Sequence, residues 1–239
     1  MTVLGIIPAR YHSTRLPGKP LKDIHGKSMI RRVYEQTIKS NVDELIVATE
    51  DLRVYKEVLS FGGNAMLTSN RHISGTDRCF EVVKMHQKSF DLIVNIQGDE
   101  PFIEPQQINQ LIKSFKDETL NIVTLAKRLE SKETLINPSI PKVSFNELGM
   151  ALSFDRIIKT AFDSQLFFKH IGLYAFRKNI LKKICALPPS SLEIKYNLEQ
   201  WRWLQNGFKI KVLETPFTNY SVDTVEDLKK VIERFGSTD

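Results

Sequence analysis

The stretch VLGIIPARYHSTRLPGK, residues 3–19, decides the fold. Its first part, residues 3–7, is a short apolar run rich in β-formers, and Pro8 follows it. Such a run predicts a buried first strand. The rest of the stretch contains Arg, Lys, Pro and Gly, which predict a loop. The sequence therefore begins with a strand that leads directly into a basic loop.

Short apolar runs continue to alternate with longer helical patterns through the first half of the chain. Further strands are predicted at residues 45–49, 65–67, 91–96 and 121–125, with helical spacing between most of them. This alternation is typical of βαβ units. We therefore expect an α/β fold with a doubly wound, mostly parallel sheet.

The alternation weakens beyond residue 125, although apolar runs still predict strands. We expect one domain over residues 1–239 with a small mixed insertion near residues 127–176. Helical patterns then predict a helix at residues 192–206 and another at residues 225–235.

Composition limits the class of protein but names no function. Hydrophobic residues make up 41% of the chain and charged residues 26%, which is ordinary for a globular protein and excludes a disordered chain or a disulfide scaffold. The formal charge of +6 suits anionic partners, either small molecules or nucleic acid. Basic residues occur as scattered pairs, and no dense basic and aromatic motif appears, so we expect no nucleic-acid partner.

The expected location is the cytoplasm. No apolar stretch approaches the roughly 18 residues that cross a bilayer, so we expect no membrane partner. Pro8 and Arg10 interrupt the apolar start before a signal-peptide core could form. Cys79 and Cys185 are far apart and lack metal-ligand spacing, which fits a reducing compartment.

Two polar segments follow predicted strands, where open parallel sheets bind their ligands. The basic one carries Arg10, Arg15 and Lys19, whose side chains suit the oxygens of a triphosphate, while Gly18 permits close backbone approach. It matches neither a Walker A loop nor a dinucleotide-binding fingerprint. A solvated basic loop is the alternative interpretation.

The acidic segment, QGDEP at residues 97–101, follows the most apolar predicted strand. Asp99 at such a strand end could hold a hard cation, since magnesium prefers carboxylate and phosphate oxygens. A cation there would neutralise triphosphate charge. The alternative is a turn in which Asp99 caps backbone amides.

Several motifs together closely resemble the 3-deoxy-manno-octulosonate cytidylyltransferase family, also called CMP-Kdo synthetases. The matching segments are IPAR at 7–10, STRLPGK at 13–19, SGTDR at 74–78, NIQGDEP at 95–101, HIGLY at 170–174, LEQ at 198–200 and VDTVEDL at 222–228. They run in order along nearly the whole chain. The resemblance implies a nucleotide-diphospho-sugar transferase-like fold and a homodimer built largely by the insertion.

The resemblance also implies a reaction, in which CMP moves from CTP to an acidic 2-keto-3-deoxy sugar, Kdo, with Mg2+ as cofactor. It implies roles for thirteen residues. Catalysis would use Arg10, Arg15, Lys19, Asp99 and Asp223, with Asp99 and Asp223 holding the metal; substrates would contact Ser74, Gly75, Arg78, Gln97, His170, Tyr174, Glu199 and Gln200. Satisfied core groups are the alternative for His170 and Tyr174, and exposed helix positions for Glu199 and Gln200.

The sequence departs from the family pattern between Asp155 and Phe168. Asp155 replaces a usual serine, a usual proline is absent, and the connection from Arg156 to His170 is short. Since this region lies near the sugar in the family, 8-amino-Kdo or a nonulosonic acid remains an alternative substrate. A nucleotide- or RNA-binding protein without catalysis is the rival from another class.

Overall fold

The structure is a computed structural model that describes residues 1–129, 132–158 and 167–236. It divides into two compact units. Unit 1 comprises Met1–Asn109 and Asn219–Asp239, and unit 2 comprises Gln110–Thr218. Of the described helices, none is both long and apolar enough to cross a membrane.

The described strands and helices are numbered in chain order. The strands are β1 Val3–Pro8, β2 Asp23–Ile24, β3 Lys27–Ser28, β4 Glu44–Thr49, β5 Ala65–Leu67, β6 Leu92–Asn95, β7 Ile122–Arg128, β8 Lys142–Phe145, β9 Ala151–Asp155, β10 Phe168–Arg177 and β11 Ile210–Glu214. The helices are α1 Met29–Thr37, α2 Leu52–Ser60, α3 Gly75–Met85, α4 Pro105–Ser114, α5 Lys132–Ile136, α6 Lys178–Cys185, α7 Ser191–Tyr196, α8 Gln200–Gln205 and α9 Val225–Arg234.

The sheet of unit 1 is parallel, in the order β6-β1-β4-β5. Gly5 in β1 lies opposite Leu45 in β4 and Val94 in β6, so β1 has a partner on each side. Leu4, Ile6 and Ile7 are fully buried. A strand that is buried on both faces has a continuous apolar sequence, which explains why this strand could be predicted. The predicted α/β class with a mostly parallel sheet is confirmed.

Side-chain caps set where the helices of unit 1 begin. Ser74 accepts a hydrogen bond from the backbone N–H of Asp77 and caps α3. Thr224 and Asp227 form a reciprocal capping box at the start of α9. These bonds satisfy backbone donors that have no partner within the helix, and they fix the residues just ahead of each helix.

Unit 2 is mixed. β7 pairs in parallel with β11 and antiparallel with β10, and β10 continues antiparallel through β8 to β9. Its core is aromatic: Trp203 is 1% exposed and makes edge contacts with the rings of Tyr174 and Phe176. The prediction of a single domain with an insertion near residues 127–176 stays a prediction.

The continuous helix predicted at residues 192–206 is wrong. The segment forms two short helices, α7 and α8, separated at Asn197, which adopts the left-handed conformation with φ 51°. A left-handed residue ends an α-helix, and asparagine accepts that conformation more readily than most residues do. The break places Glu199 at the start of α8 and allows Gln200 to point into the core.

Candidate functional site

A cavity of about 410 Å³ lies in unit 1 at the carboxyl ends of β1 and β6. Because β1 and β6 are parallel neighbours, the loops that leave them meet at the same edge of the sheet. The start of α3 and the segment before α9 complete the lining. Its volume is in the range of small-molecule sites.

Nine of the thirteen predicted site residues line this cavity. They are Arg10, Arg15, Lys19, Ser74, Gly75, Arg78, Gln97, Asp99 and Asp223. They come from four stretches of sequence that are far apart along the chain. The fold of unit 1 therefore brings the basic and the acidic segment to one place.

Two glycines allow the chain to pass tightly at this edge. Gly18 has φ 66°, in the left-handed region, and lies just before a short helical turn that begins at Lys19. A Cβ on Gly98 would meet the carbonyl oxygen of Pro8 at 3.0 Å. Only glycine fits either position without strain, so the loop after β6 approaches the end of β1 closely.

Lys19 lies at the centre of the charged groups. Its ammonium donates to Asp99 Oδ2 at 2.7 Å and to Asp223 Oδ1 at 2.9 Å. Burial lowers the pKa of Lys19, but the two carboxylates outweigh burial and leave that pKa above its usual value. Lys19 is therefore a fixed cation that both aspartates share.

The other two predicted phosphate-binding cations are more accessible. Arg15 lies 3.0 Å from Asp223 Oδ1, and its side chain is 57% exposed. Arg10 is exposed where it lines the cavity. Exposed guanidinium groups can bind phosphate oxygens in pairs.

Arg78, by contrast, is buried and already bound. Its guanidinium lies 2.9 Å from Glu50 Oε2 and donates to Thr68 Oγ1 at 2.6 Å. Glu50 also accepts a hydrogen bond from the backbone N–H of Tyr11 at 3.0 Å. Glu50 thus joins the basic loop after β1 to the helix that carries Arg78.

Sequence reasoning missed Glu50 and His72. Glu50 directly follows β4, so its position at a strand end was the available signal. His72 lines the cavity next to Ile73, whose side chain is 80% exposed, and hydrogen-bonds Glu81 of α3. The pairing of His72 with Glu81 has no sequence signal, because the contact depends on how the loop before α3 folds back.

The remaining four predicted residues lie in unit 2. Tyr174 is hydrogen-bonded to His170 Nε2 at 2.9 Å and accepts a bond from Gln200 Nε2 at 2.5 Å. All three are buried, whereas Glu199 is half-buried. Their contact with a sugar stays a prediction, and the arrangement matches the alternative of satisfied core groups for His170 and Tyr174.

Burial also fixes the protonation of this cluster. It lowers the pKa of His170 to about 3 and raises the pKa of Tyr174. His170 is therefore neutral and the Tyr174 phenol is protonated at neutral pH. Since Tyr174 accepts from Gln200, its own proton is available for His170 Nε2.

The metal prediction rests on two carboxylates. Among residues 1–129, 132–158 and 167–236, no group of three or more His, Cys, Asp and Glu side chains could hold a metal ion. Asp99 and Asp223 nevertheless converge on one cation, the Lys19 ammonium. Because Mg2+ commonly takes one or two carboxylates together with substrate phosphates, this donor set fits magnesium bound with a nucleotide.

Comparisons with known proteins identify the family. The family model described as cytidylyltransferase matches residues 4–210. A 3-deoxy-manno-octulosonate cytidylyltransferase of Parabacteroides distasonis is 47% identical, with 97% of each chain covered. One from Fusobacterium nucleatum is 46% identical over 97% of this chain and 96% of its own.

Solved structures give the same result. A CMP:2-keto-3-deoxy-manno-octonic acid synthetase complexed with CTP is 39% identical, with a TM-score of 0.92 and 98% of each chain covered. A glucose-1-phosphate thymidylyltransferase from Bacillus anthracis, at 15% identity and a TM-score of 0.72, shares the fold. The nucleotidyltransferase-like fold expected from the sequence is therefore confirmed.

The Glu50 and Arg78 pair gives a stability prediction. Replacing Glu50 by Gln leaves the buried Arg78 charge without its counter-charge, which costs about 3–5 kcal/mol for a buried pair. The exposed pair of Arg128 and Glu214 is the control, and Glu214→Gln should cost far less because solvent screens that pair. Denaturant unfolding of both variants measures the difference. Equal losses would show that the Glu50 pair behaves as a surface pair.

Proposed function

The chain belongs to the 3-deoxy-manno-octulosonate cytidylyltransferase family, and from this premise we propose that it transfers CMP from CTP to Kdo and releases pyrophosphate. One observation carries the proposal. Arg15, Lys19, Asp99 and Asp223 are joined by ion pairs in one cavity. The product is an activated sugar acid for lipopolysaccharide or capsule synthesis.

The reaction follows from the charges. The anomeric hydroxyl of Kdo attacks the α-phosphorus of CTP, a P–O bond forms to the sugar, and the bond to the β-phosphate oxygen breaks. The hydroxyl proton passes to solvent, and pyrophosphate leaves. Enzymes promote such transfer mainly by positioning and by neutralising charge. Arg10, Arg15 and Lys19 supply positive charge for the departing pyrophosphate.

We assign Asp99 and Asp223 to Mg2+. The ion would neutralise phosphate oxygens and polarise the reacting phosphorus. The two carboxylates already lie around one cation, which supports the assignment. Ser74, Gly75, Arg78 and Gln97 form the nucleoside side of the proposed CTP site, where Ser74 and Gly75 begin a helix and offer backbone N–H groups.

For the sugar we propose His170, Tyr174, Glu199 and Gln200 as the recognition set. Hydrogen bonds with His170 and Gln200 hold the Tyr174 hydroxyl in this set. Most of the connection between Asp155 and Phe168, residues 159–166, lies outside the described residues. Because the sequence of this connection departs from the family pattern, an amino-modified Kdo or a nonulosonic acid is the second candidate substrate.

We propose that the protein acts in the cytoplasm and without a nucleic-acid or membrane partner. Its two cysteines, Cys79 and Cys185, are far apart in the sequence and lack metal-ligand spacing, which fits a reducing compartment. The carboxylates of Asp99 and Asp223 lie among the cations of the cavity, and they would repel a polyanion that brought no metal.

A substrate panel tests the proposed function. With CTP, we expect pyrophosphate release to depend on a sugar acid, and kcat/KM to be highest for Kdo, followed by 8-amino-Kdo and a nonulosonic acid. A site that pairs buried polar groups discriminates strongly against an analogue that leaves one unpaired. ATP should support little turnover. Comparable rates with ATP, or no release with any sugar, would refute the assignment, whereas a lead for another sugar would revise only the acceptor.

Substitution of the two aspartates tests the metal site. Asp99→Asn and Asp223→Asn should each lower turnover by at least roughly 10- to 100-fold, because each removes one anionic ligand from the reacting complex. Asp117→Asn, in an exposed turn, is the control and should leave the rate unchanged. Rates near that of the unmodified enzyme in saturating Mg2+ would contradict a two-aspartate site.

We also propose a homodimer that buries exposed apolar residues of unit 2. Leu148 is 72% exposed and Leu152, in β9, is 60% exposed. Within the described residues, β9 pairs only with β8, so a second copy could cover this edge. Both leucines lie within residues 127–176, the stretch that the family resemblance predicts to build the interface.

Light scattering after size exclusion tests the dimer. Leu152→Asp should shift the protein to a monomer at concentrations where the unmodified chain is a dimer, since it introduces a charge into the apolar contact. Ile194→Asp is the control, because Ile194 is 71% exposed but lies in α7. A monomeric unmodified chain, or a dimer of the Leu152 variant, would overturn the proposal.

A further inference from the structure

A buried group of polar side chains lies next to the two aspartates in unit 1 but is outside the cavity lining. It consists of Glu100, Gln107 and Asn219, which are 7%, 0% and 6% exposed. Asn219 Nδ2 donates to Glu100 Oε2. The amides of Gln107 and Asn219 face each other, with contacts of 2.8 and 3.3 Å.

These three side chains join segments that are far apart in sequence. Glu100 directly follows Asp99, and Asn219 precedes Asp223 by four residues. Between them, the backbone N–H of Val222 donates to the carbonyl oxygen of Asp99 at 2.9 Å. The group therefore fastens the segment that carries Asp223 to the turn that carries Asp99.

Asp223 is also held from its other side. Its backbone N–H donates to Asp227 Oδ2 at 3.1 Å, and Asp227 belongs to the capping box of α9. The position of Asp223 thus depends on the helix cap after it and on the Asn219 contacts before it. The helix cap fixes Asp223 relative to α9, whereas the Asn219 contacts fix its segment relative to the turn that carries Asp99.

The chemistry of the group favours one arrangement. A buried carboxylate needs donors, and a hydrogen bond to a charged acceptor is roughly twice as strong as a neutral one. Leaving any member of a buried network unpaired is costly, so Asn219 cannot leave Glu100 without penalty. The separation of the two aspartates, which Lys19 also bridges, therefore depends in part on groups that do not touch the ligand.

We infer that Glu100, Gln107 and Asn219 are positioning residues that set Asp99 and Asp223 at the separation needed to bind a divalent cation with the nucleotide. The inference rests on the proposed function, because it deepens the assignment of those two aspartates. These three residues would act only through the aspartates. The Glu100 carboxylate would hold Asn219, and thereby the segment of Asp223, in place.

An exchange of the two polar groups tests the inference. Asn219→Asp places a second carboxylate against Glu100, so the segments should separate. Adding Glu100→Gln restores one amide and one carboxylate in exchanged positions, and the Gln107 amide can still donate to residue 219. We expect Asn219→Asp to weaken binding of Mn2+ in the presence of CTP by at least roughly tenfold, and the double variant to recover most of the loss.

Binding is read from the electron paramagnetic resonance signal of free Mn2+, well below the melting temperature of each variant. A purely structural role would lower the melting temperature without changing the affinity of the folded protein. Gln110→Glu is the matched control, because Gln110 lies on α4 like Gln107 but bonds to the carbonyl of Glu214.

Unchanged Mn2+ affinity in folded Asn219→Asp, or a folded double variant that stays as weak as the single one, would overturn the inference. Should Asn219→Asp fail to fold, Gln107→Met decides: it removes the amide pair at similar volume and should weaken Mn2+ binding several-fold, and native affinity would overturn the inference. Failure of the proposed function would appear separately, as absent pyrophosphate release by an unmodified enzyme that still binds Mn2+ and CTP.

Discussion

The contact of the Lys19 ammonium with Asp99 and Asp223 is the interaction on which unit 1 and its cavity depend. It joins the loop after β1, the turn after β6 and the segment before α9. Asp99 and Asp223 carry like charges, and the Lys19 ammonium between them offsets their repulsion. Lys19 is mostly buried, so the attraction acts where water screens it weakly. Close passage of the chain at Gly18 and Gly98 makes this contact possible.

Much of the fold could be predicted because buried parallel strands have a simple sequence pattern. The runs at β1, β4 and β6 are apolar on both faces, and their predicted bounds differ from the observed bounds by at most one residue at each end. The predicted helix at residues 192–206 failed because its apolar spacing continued through Asn197, whose left-handed conformation cannot be read from periodicity. The short hairpin of β2 and β3 was also missed, since two-residue strands have no period.

The site was predictable to the extent that its residues follow strands. Arg10, Arg15, Lys19 and Asp99 lie in loops at strand ends, so the sheet alone places them at one edge. Asp223 was predicted only from the family resemblance, because its segment does not directly follow a strand of the unit 1 sheet. Partners within the fold could not be predicted at all. Nothing in the sequence pairs Arg78 with Glu50, or Asn219 with Glu100, since those contacts depend on three-dimensional packing.

The charges around Lys19 also couple the binding of the nucleotide to the binding of the cation. Arg15 and Lys19 are balanced by Asp99 and Asp223, so this cluster is electrically neutral before any ligand arrives. A triphosphate alone would leave it strongly negative, and a divalent cation alone would leave it positive. Each ligand therefore lowers the electrostatic cost of admitting the other. Such mutual dependence is a thermodynamic linkage: whichever ligand binds first, the affinity for the second rises by the same factor.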